Sequence, residues 1–295
     1  PVASSLLAAV VQCLLKVSSL PCIVERCGAK MTVEMPLLSL ENITRNFGAI
    51  EALRGITFGI HRGEVVALLG DNGAGKSTLV KIIAGGLQPT SGTMVFEGSP
   101  RNFSSPAEAK AAGIETVYQD LSLCTNVDVV ANFFMGREIV KRYFGIPVLQ
   151  EAEMHATAAA AIANAGTKIP SLRVNVEHLS GGQRQAIELN RFVHWGGKLV
   201  LLDEPFAALG VEQTRRGLDM VKRIAAQGIG VVIITHIMAQ AFQVADRIVV
   251  IRHGKVAGNV RSGDTNPDEV VRMITGEALE AAAQEMRPNG PQPVQ

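Results

Sequence analysis

The stretch from Glu64 to Gly86 constrains the fold of this chain more than any other. EVVALLG is almost continuously apolar, which marks a strand buried on both faces, as in a parallel sheet with helices around it. GDNGAGKST follows at once, and TLVKIIAGG then sets Leu79, Ile82 and Ile83 on one helical face. Strand, glycine loop and helix in this order make a phosphate cradle. The glycines let successive backbone N–H groups turn inward, and the helix behind them adds the positive end of its dipole. Gly70, Asp71, Asn72, Gly73, Ala74, Gly75, Lys76, Ser77 and Thr78 form that cradle. Lys76 is expected to hold the β- and γ-phosphates of a nucleotide, and Ser77 to ligate Mg2+ through its hydroxyl. An ordinary glycine-rich turn would leave the buried strand before it and the helix after it unexplained.

The remaining pattern predicts an α/β fold. LLSLENITRNF and ITFGI read as strands, separated by the breakers Gly55 and Arg62-Gly63, and TMVFEG and IETVYQ add two more, with a helix over 106–112 between them. From about 120 to 176 strand character gives way to Ala-rich sequence such as EAEMHATAAAAIANAG, so a helical subdomain is expected over about 120–185. A helix over GGQRQAIELNRFVHW, the buried strand KLVLLDEP, a helix over 213–226 and the strand GVVIITH complete an alternation that implies a parallel sheet. RIVVIRHGKVAGNV reads as a hairpin turning at Gly254, and NPDEVVRMITG as a closing helix. With no internal repeat, one nucleotide-binding domain is expected over 36–276. Residues 1–35 read as an N-terminal extension, of which 1–30 precede a natural start at Met31, and 277–295 as a disordered tail.

Asp203 and Glu204 end the run LVLL, at the C-terminal edge of a buried strand where open α/β sheets bind ligands. Asp203 is expected to reach Mg2+ through water, and Glu204 to orient or deprotonate a water attacking the γ-phosphate. Two acids after a strand could merely cap a turn, but the cradle at Gly70 weighs against that. Leu179-Ser180-Gly181-Gly182-Gln183 opens a helix, and a simple N-cap explains Ser180 without explaining the other four residues.

With LSGGQ joined to the cradle and the paired acids, the chain resembles the ATP-binding subunits of ABC transporters: a P-loop NTPase core with a parallel sheet, an antiparallel β subdomain and a helical signature subdomain. The likeness covers Pro36 to about Gly276 and is greatest for single-cassette bacterial sugar importers, through ALLGDNGAGKSTLVKIIAG, LCTNVDVVANFFMGRE, HLSGGQRQAIEL and ALGV. It implies that ATP and Mg2+ are bound, and that Ser180, Gly181, Gly182 and Gln183 meet the γ-phosphate held by an opposing subunit, in a homodimer or a pair with a second ATP-binding subunit. It further implies that Gln119 touches Mg2+ or water, that His236 bonds the γ-phosphate and the attacking water, and that Phe47 stacks on adenine, unless its ring is core. The implied partners are transmembrane permease subunits and, indirectly, an extracytoplasmic sugar-binding protein, with the chain peripheral at the cytoplasmic face of the inner or plasma membrane. Three residues depart from the family pattern: Gly210 where Asp is common, Phe206 where Thr or Ser is common, and Asn190 where Ala is common.

Composition narrows the alternatives. The 28 basic and 27 acidic residues nearly cancel and aromatics make up 4%, so neither a global field nor stacking rings favour a nucleic-acid partner. A soluble ABC-type ATPase acting on nucleic acid or the ribosome would bring a coiled-coil insertion or a second cassette, and a small-molecule kinase would have no use for LSGGQ. The apolar run at Leu6 to Leu15, ended by Lys16, is too short to span a bilayer, and three of the four cysteines fall within the first thirty residues, a usage that fits a reducing cytosol.

Overall fold

The structure is a computed structural model that describes residues 35–117, 123–164, 169–195, 197–207 and 210–277. The upstream extension, the tail beyond 277, Gln119 and part of the ALGV run lie outside the described residues.

Two sheets are built around the cradle. The first is antiparallel, from β1 (Leu38–Phe47), β2 (Ile50–Ile60), β4 (Ser91–Phe96) and β5 (Ser99–Arg101) in the order β2-β1-β4-β5. Gly55, expected as a breaker, instead lies inside β2, where the register against β1 slips between Ile43 and Thr44. A bulge absorbs the irregularity that the sequence suggests would end the strand. The second sheet contains β3 (Val65–Leu69), β6 (Ile114–Val117), β9 (Leu199–Asp203), β10 (Gly230–Ile234), β11 (Arg247–Arg252) and β12 (Lys255–Arg261) in the order β12-β11-β3-β10-β9-β6. All neighbours are parallel except the edge pair β11 and β12.

β3 is buried along its whole length, and its side chains alternate between two cores. Val66 and Leu68 join α1 (Lys76–Ile83), α2 (Pro106–Ala112) and the antiparallel sheet. Val65, Ala67 and Leu69 join α6 (Val211–Ala226), α7 (Met238–Val244) and α8 (Pro267–Thr275). This two-sided burial explains the unbroken apolar runs of the parallel strands.

A third apolar cluster draws on Val129, Phe133 and Phe134 of α3 (Val129–Phe134), Met154, Ala158 and Ile162 of α4 (Glu151–Asn164), and Ile187 of α5 (Gly181–His194). Buried Asn132 ties it together, its side-chain NH2 donating to the carbonyls of Cys124, Val127 and Asp128 while its backbone carbonyl accepts from Arg191 of α5. This region is not wholly helical. The strands β7 (Val140–Tyr143) and β8 (Ile146–Leu149) form a hairpin that the sequence pattern did not disclose. Phe144 and Gly145 turn it, both with positive φ (52° and 85°), as a two-residue hairpin loop of mirror-image type requires. Phe-Gly is not among the turn pairs that announce such a loop, and each strand is four residues long.

Candidate active site

β3, β10 and β9 are parallel and in register, with Leu68 beside Ile234 and Ile234 beside Asp203, so their C-terminal ends lie side by side. Whatever leaves those ends converges on one edge: the cradle from β3, Asp203 and Glu204 from β9, and His236 just beyond β10.

Two glycines fix the path of the cradle. Gly70 leaves β3 with φ 146°, and a Cβ there would stand 2.1 Å from the carbonyl oxygen of Ile251. Gly75 precedes α1 with φ 110°, where a Cβ would meet the Ala52 carbonyl oxygen at 2.8 Å. The loop is also held from outside: Gly254 N–H donates to the Ala74 carbonyl at 3.0 Å, and Arg54 N–H to the Gly254 carbonyl at 2.7 Å. Lys76 Nζ donates to the carbonyls of Gly70 at 2.7 Å and Asp71 at 2.9 Å, so its ammonium lies across the loop. Ser77 and Thr78 follow in the first turn of α1.

The charges at this edge are under-solvated. Burial holds the Lys76 ammonium below the ordinary lysine range, against the pull of Glu204, Asp71 and Asp203. Burial also pushes the Asp203 carboxyl up, helped by the Glu204 charge and opposed by Lys76 and Lys81. Such a site gains most from a ligand that carries its own anionic oxygens and a hard cation. Among the described residues no group of three or more His, Cys, Asp or Glu could hold a metal. The Ser77 hydroxyl and the Asp203 carboxylate are the hard oxygen donors here that would hold Mg2+, which binds through one or two protein oxygens together with its nucleotide's phosphates. The donor set fits Mg2+–ATP.

The Asp203 shift has a consequence for stability. Its pKa is higher folded than unfolded, so the stability it contributes is fully present below the unfolded value of about 3.8 and is lost as pH rises through the raised folded pKa. At neutral pH the ionised carboxylate is thus a net burden on the nucleotide-free fold. Asp203→Asn should raise the melting temperature at pH 7 by about 1–3 °C, with a smaller gain near pH 4.5, while hydrolysis is lost. Thermal melts at the two pH values check this, and a lowered midpoint at pH 7 contradicts it.

Glu204 sits in an unusual backbone conformation. Its φ is 47°, its N–H donates to the Ile234 carbonyl at 2.9 Å, and its Oε1 stands 3.2 Å from His236 Nδ1. The histidine side chain is 62% exposed and the glutamate 29%, so the carboxylate is sheltered and the imidazole lies at the mouth. Buried Thr235 steadies the turn beneath His236, donating from its hydroxyl to Gln240 Oε1 at 3.0 Å and accepting from Ile237 N–H at 3.1 Å.

Phe47 is not core. It is 44% exposed at the end of β1, with the Arg45 guanidinium 4.7 Å above its ring. Ser180 caps α5 in a reciprocal box: its Oγ accepts from Gln183 N–H at 3.3 Å, and Gln183 Oε1 accepts from Ser180 N–H at 3.0 Å. The N–H groups of Gly181 and Gly182 donate to nothing among the described residues, so the helix start keeps two donors for an anion. Gln119 lies outside the described residues, although β6, which leads to it, ends at Val117 beside Leu202.

The three departures are also placed. Asn190 is buried, and its side-chain amide donates to the Ala186 carbonyl one turn earlier in α5. Gly210 caps α6 without a side-chain bond. Phe206 is buried at 1% exposure and packs into the core against α6. Sequence reasoning gave no role to Lys81, whose charge acts on Asp203, or to Gly217, which faces the Phe206 ring. A glycine inside a helical pattern was the available cue for the latter.

These features define a nucleotide-hydrolysing cassette, and comparison with known proteins identifies its family. The ABC transporter family model matches residues 53–207. The xylose/arabinose import ATP-binding protein of Sulfolobus acidocaldarius is 42% identical over 243 residues, 82% of this chain and 95% of that protein. The fructose import ATP-binding protein of Rhizobium meliloti is 39% identical over 82% of this chain and 94% of its own length. A ribose import ATP-binding protein of Yersinia pestis is 35% identical over 83% of this chain, which spans 48% of that relative. Among solved structures, a nucleotide-free ATP-binding cassette from an ABC transporter superposes with a TM-score of 0.69 at 25% identity, over 82% of this chain and 96% of that one. The chain belongs to the ABC transporter family, as an ATP-binding and ATP-hydrolysing subunit.

Proposed function

We propose that this chain is the motor of a sugar importer, acting as a two-subunit sandwich beneath transmembrane permease subunits at the cytoplasmic face of the membrane, with residues 36–276 as the working cassette. The observation that carries the reading is the convergence of Lys76, Asp203, Glu204 and His236 on one sheet edge. The import proteins that it resembles along most of its length supply the sugar. No helix among the described residues is long and apolar enough to cross a membrane.

In this reading Lys76 exchanges its two backbone carbonyls for phosphate oxygens, which relieves its partial desolvation. Ser77 and Asp203 hold Mg2+, which when bound neutralises charge developing on the phosphates. Glu204 Oε1 takes the proton of the attacking water, His236, with Nδ1 3.2 Å from that carboxylate, bonds the γ-phosphate and the water, and Gln119 touches Mg2+ or water. Phe47 receives the adenine. The N–H pair of Gly181 and Gly182, braced by Ser180 and Gln183, receives the γ-phosphate of a nucleotide on the opposite subunit.

The test couples hydrolysis to uptake. Purified protein reconstituted in vesicles with its permease should release inorganic phosphate as labelled pentose or hexose accumulates, with no phosphorylated sugar formed. Phosphate found on the sugar, or hydrolysis unaffected by permease and sugar, rejects the motor in favour of a kinase or a soluble ATPase.

A further inference from the structure

Phe206 and Gly217 fit one another in a way that neither residue explains alone. A Cβ added at Gly217 would stand 2.4 Å from Phe206 Cε1, inside the closest approach of real atoms, and a tight 3.1 Å from Cδ1 and Cζ. The ring therefore fills the notch that this glycine leaves on α6. Gly217 lies mid-helix, where glycine is disfavoured relative to alanine by about 1 kcal/mol. Its presence there needs a reason, and the ring supplies one.

Phe206 also lies within the turn that carries Glu204. Glu204 has φ 47°, a conformation that side-chain-bearing residues keep only where the surroundings over-determine it. On its N-terminal side the turn is held by Glu204 N–H donating to the Ile234 carbonyl at 2.9 Å, and within the turn Ala207 N–H reaches the Glu204 carbonyl at 3.3 Å. Pro205, with its fixed φ, is the single residue between Glu204 and the buried ring, so there is little slack to absorb a displacement. We propose that Phe206 is a positioning residue: its ring, keyed into Gly217 of α6, anchors the strained turn and sets where the Glu204 carboxylate stands relative to His236 and the cradle. This rests on the reading of Glu204 as the group that activates water. The bulky ring next to the Glu204 carboxylate is then an anchor turned into the core, and α6 becomes part of the catalytic scaffold.

A mutant cycle in ATPase assays tests the anchor. Gly217→Ala drives a methyl into the ring and favours the helix, so the protein should fold while kcat falls about tenfold with KM for ATP within about twofold. Phe206→Leu makes room for that methyl. The Phe206→Leu/Gly217→Ala double variant should therefore recover to within about threefold of the parent kcat, well above Gly217→Ala alone. Parent-like kcat in Gly217→Ala, a loss of ATP affinity in step with kcat, or a double variant no faster than the helix variant overturns the proposal. Should the helix variant not fold, the double variant is compared with Phe206→Leu: it is expected to be faster, and an equal or slower rate overturns the proposal. Glu204→Gln in the parent separates the two levels. If it hydrolyses normally, the assignment of Glu204 fails. If it is inactive and the cycle is additive, only the anchor fails.

Discussion

Glu204→Gln is expected to lower the ATP hydrolysis rate by about three orders of magnitude, the range for loss of a positioned general base, while leaving ATP binding intact. The amide is nearly isosteric with the carboxylate, so the contact at 3.2 Å with His236 keeps its geometry. What is lost is the ability to accept a proton as the water attacks. A loss of this size corresponds to about 4 kcal/mol of transition-state stabilisation. Because binding persists and hydrolysis does not, ATP should accumulate in the closed two-subunit state. Size exclusion with light scattering should show a dimer in ATP that is absent in ADP. A His236→Ala variant should also lose most activity, with the carboxylate present but without the imidazole that is to bond the γ-phosphate and the water. If Glu204→Gln turns over within tenfold of the parent, another group activates the water and Glu204 is a structural cap of β9.

Much of this site was legible in the sequence because its chemistry is local. The cradle is contiguous, the acids are adjacent, and both follow runs whose continuous apolar character fixes them as strands buried on two faces. The order of the strands was not legible. That β10 lies between β3 and β9, and so brings His236 to Glu204, is a property of crossovers rather than of spacing. The β7–β8 hairpin was hidden for a related reason: its strands have apolar residues on both faces, several of them exposed, so no alternation marked a buried side. The exposed state of Phe47 could not be told from a core position by its neighbours, since β1 alternates irregularly at its end. The fit of Phe206 into Gly217 depends on a helix returning over a strand end, and no pattern shorter than the fold encodes it.

The dimer can be tested without a structure of the assembly. Lys76→Ala removes the ammonium that would meet the phosphates, and Ser180→Arg places a bulky cation in the turn that should receive them, so each purified variant should hydrolyse ATP at least about a hundredfold more slowly. In the proposed two-subunit site these defects lie in different halves. In a mixed dimer, the cradle of the Ser180→Arg protomer faces the intact helix start of the Lys76→Ala protomer, and one complete site is restored. Random pairing makes half of the dimers mixed, and each holds one good site of two, so an equal mixture should regain about a quarter of the parent rate. The physical basis is the placement of the donors. Ser180 is exposed and, among the described residues, its hydrogen bonds stay within its own helix, while Gly181 and Gly182 keep free N–H groups. A helix start so equipped can receive a phosphate, which in the proposed dimer comes from the nucleotide of the other subunit. If the mixture stays as inactive as its components under conditions where subunits exchange, each site is built within one protomer or both sites must fire together. Parent subunits mixed with an excess of Lys76→Ala decide between these: activity per parent subunit that does not change means a self-contained site, and activity that collapses means obligate coupling of the pair.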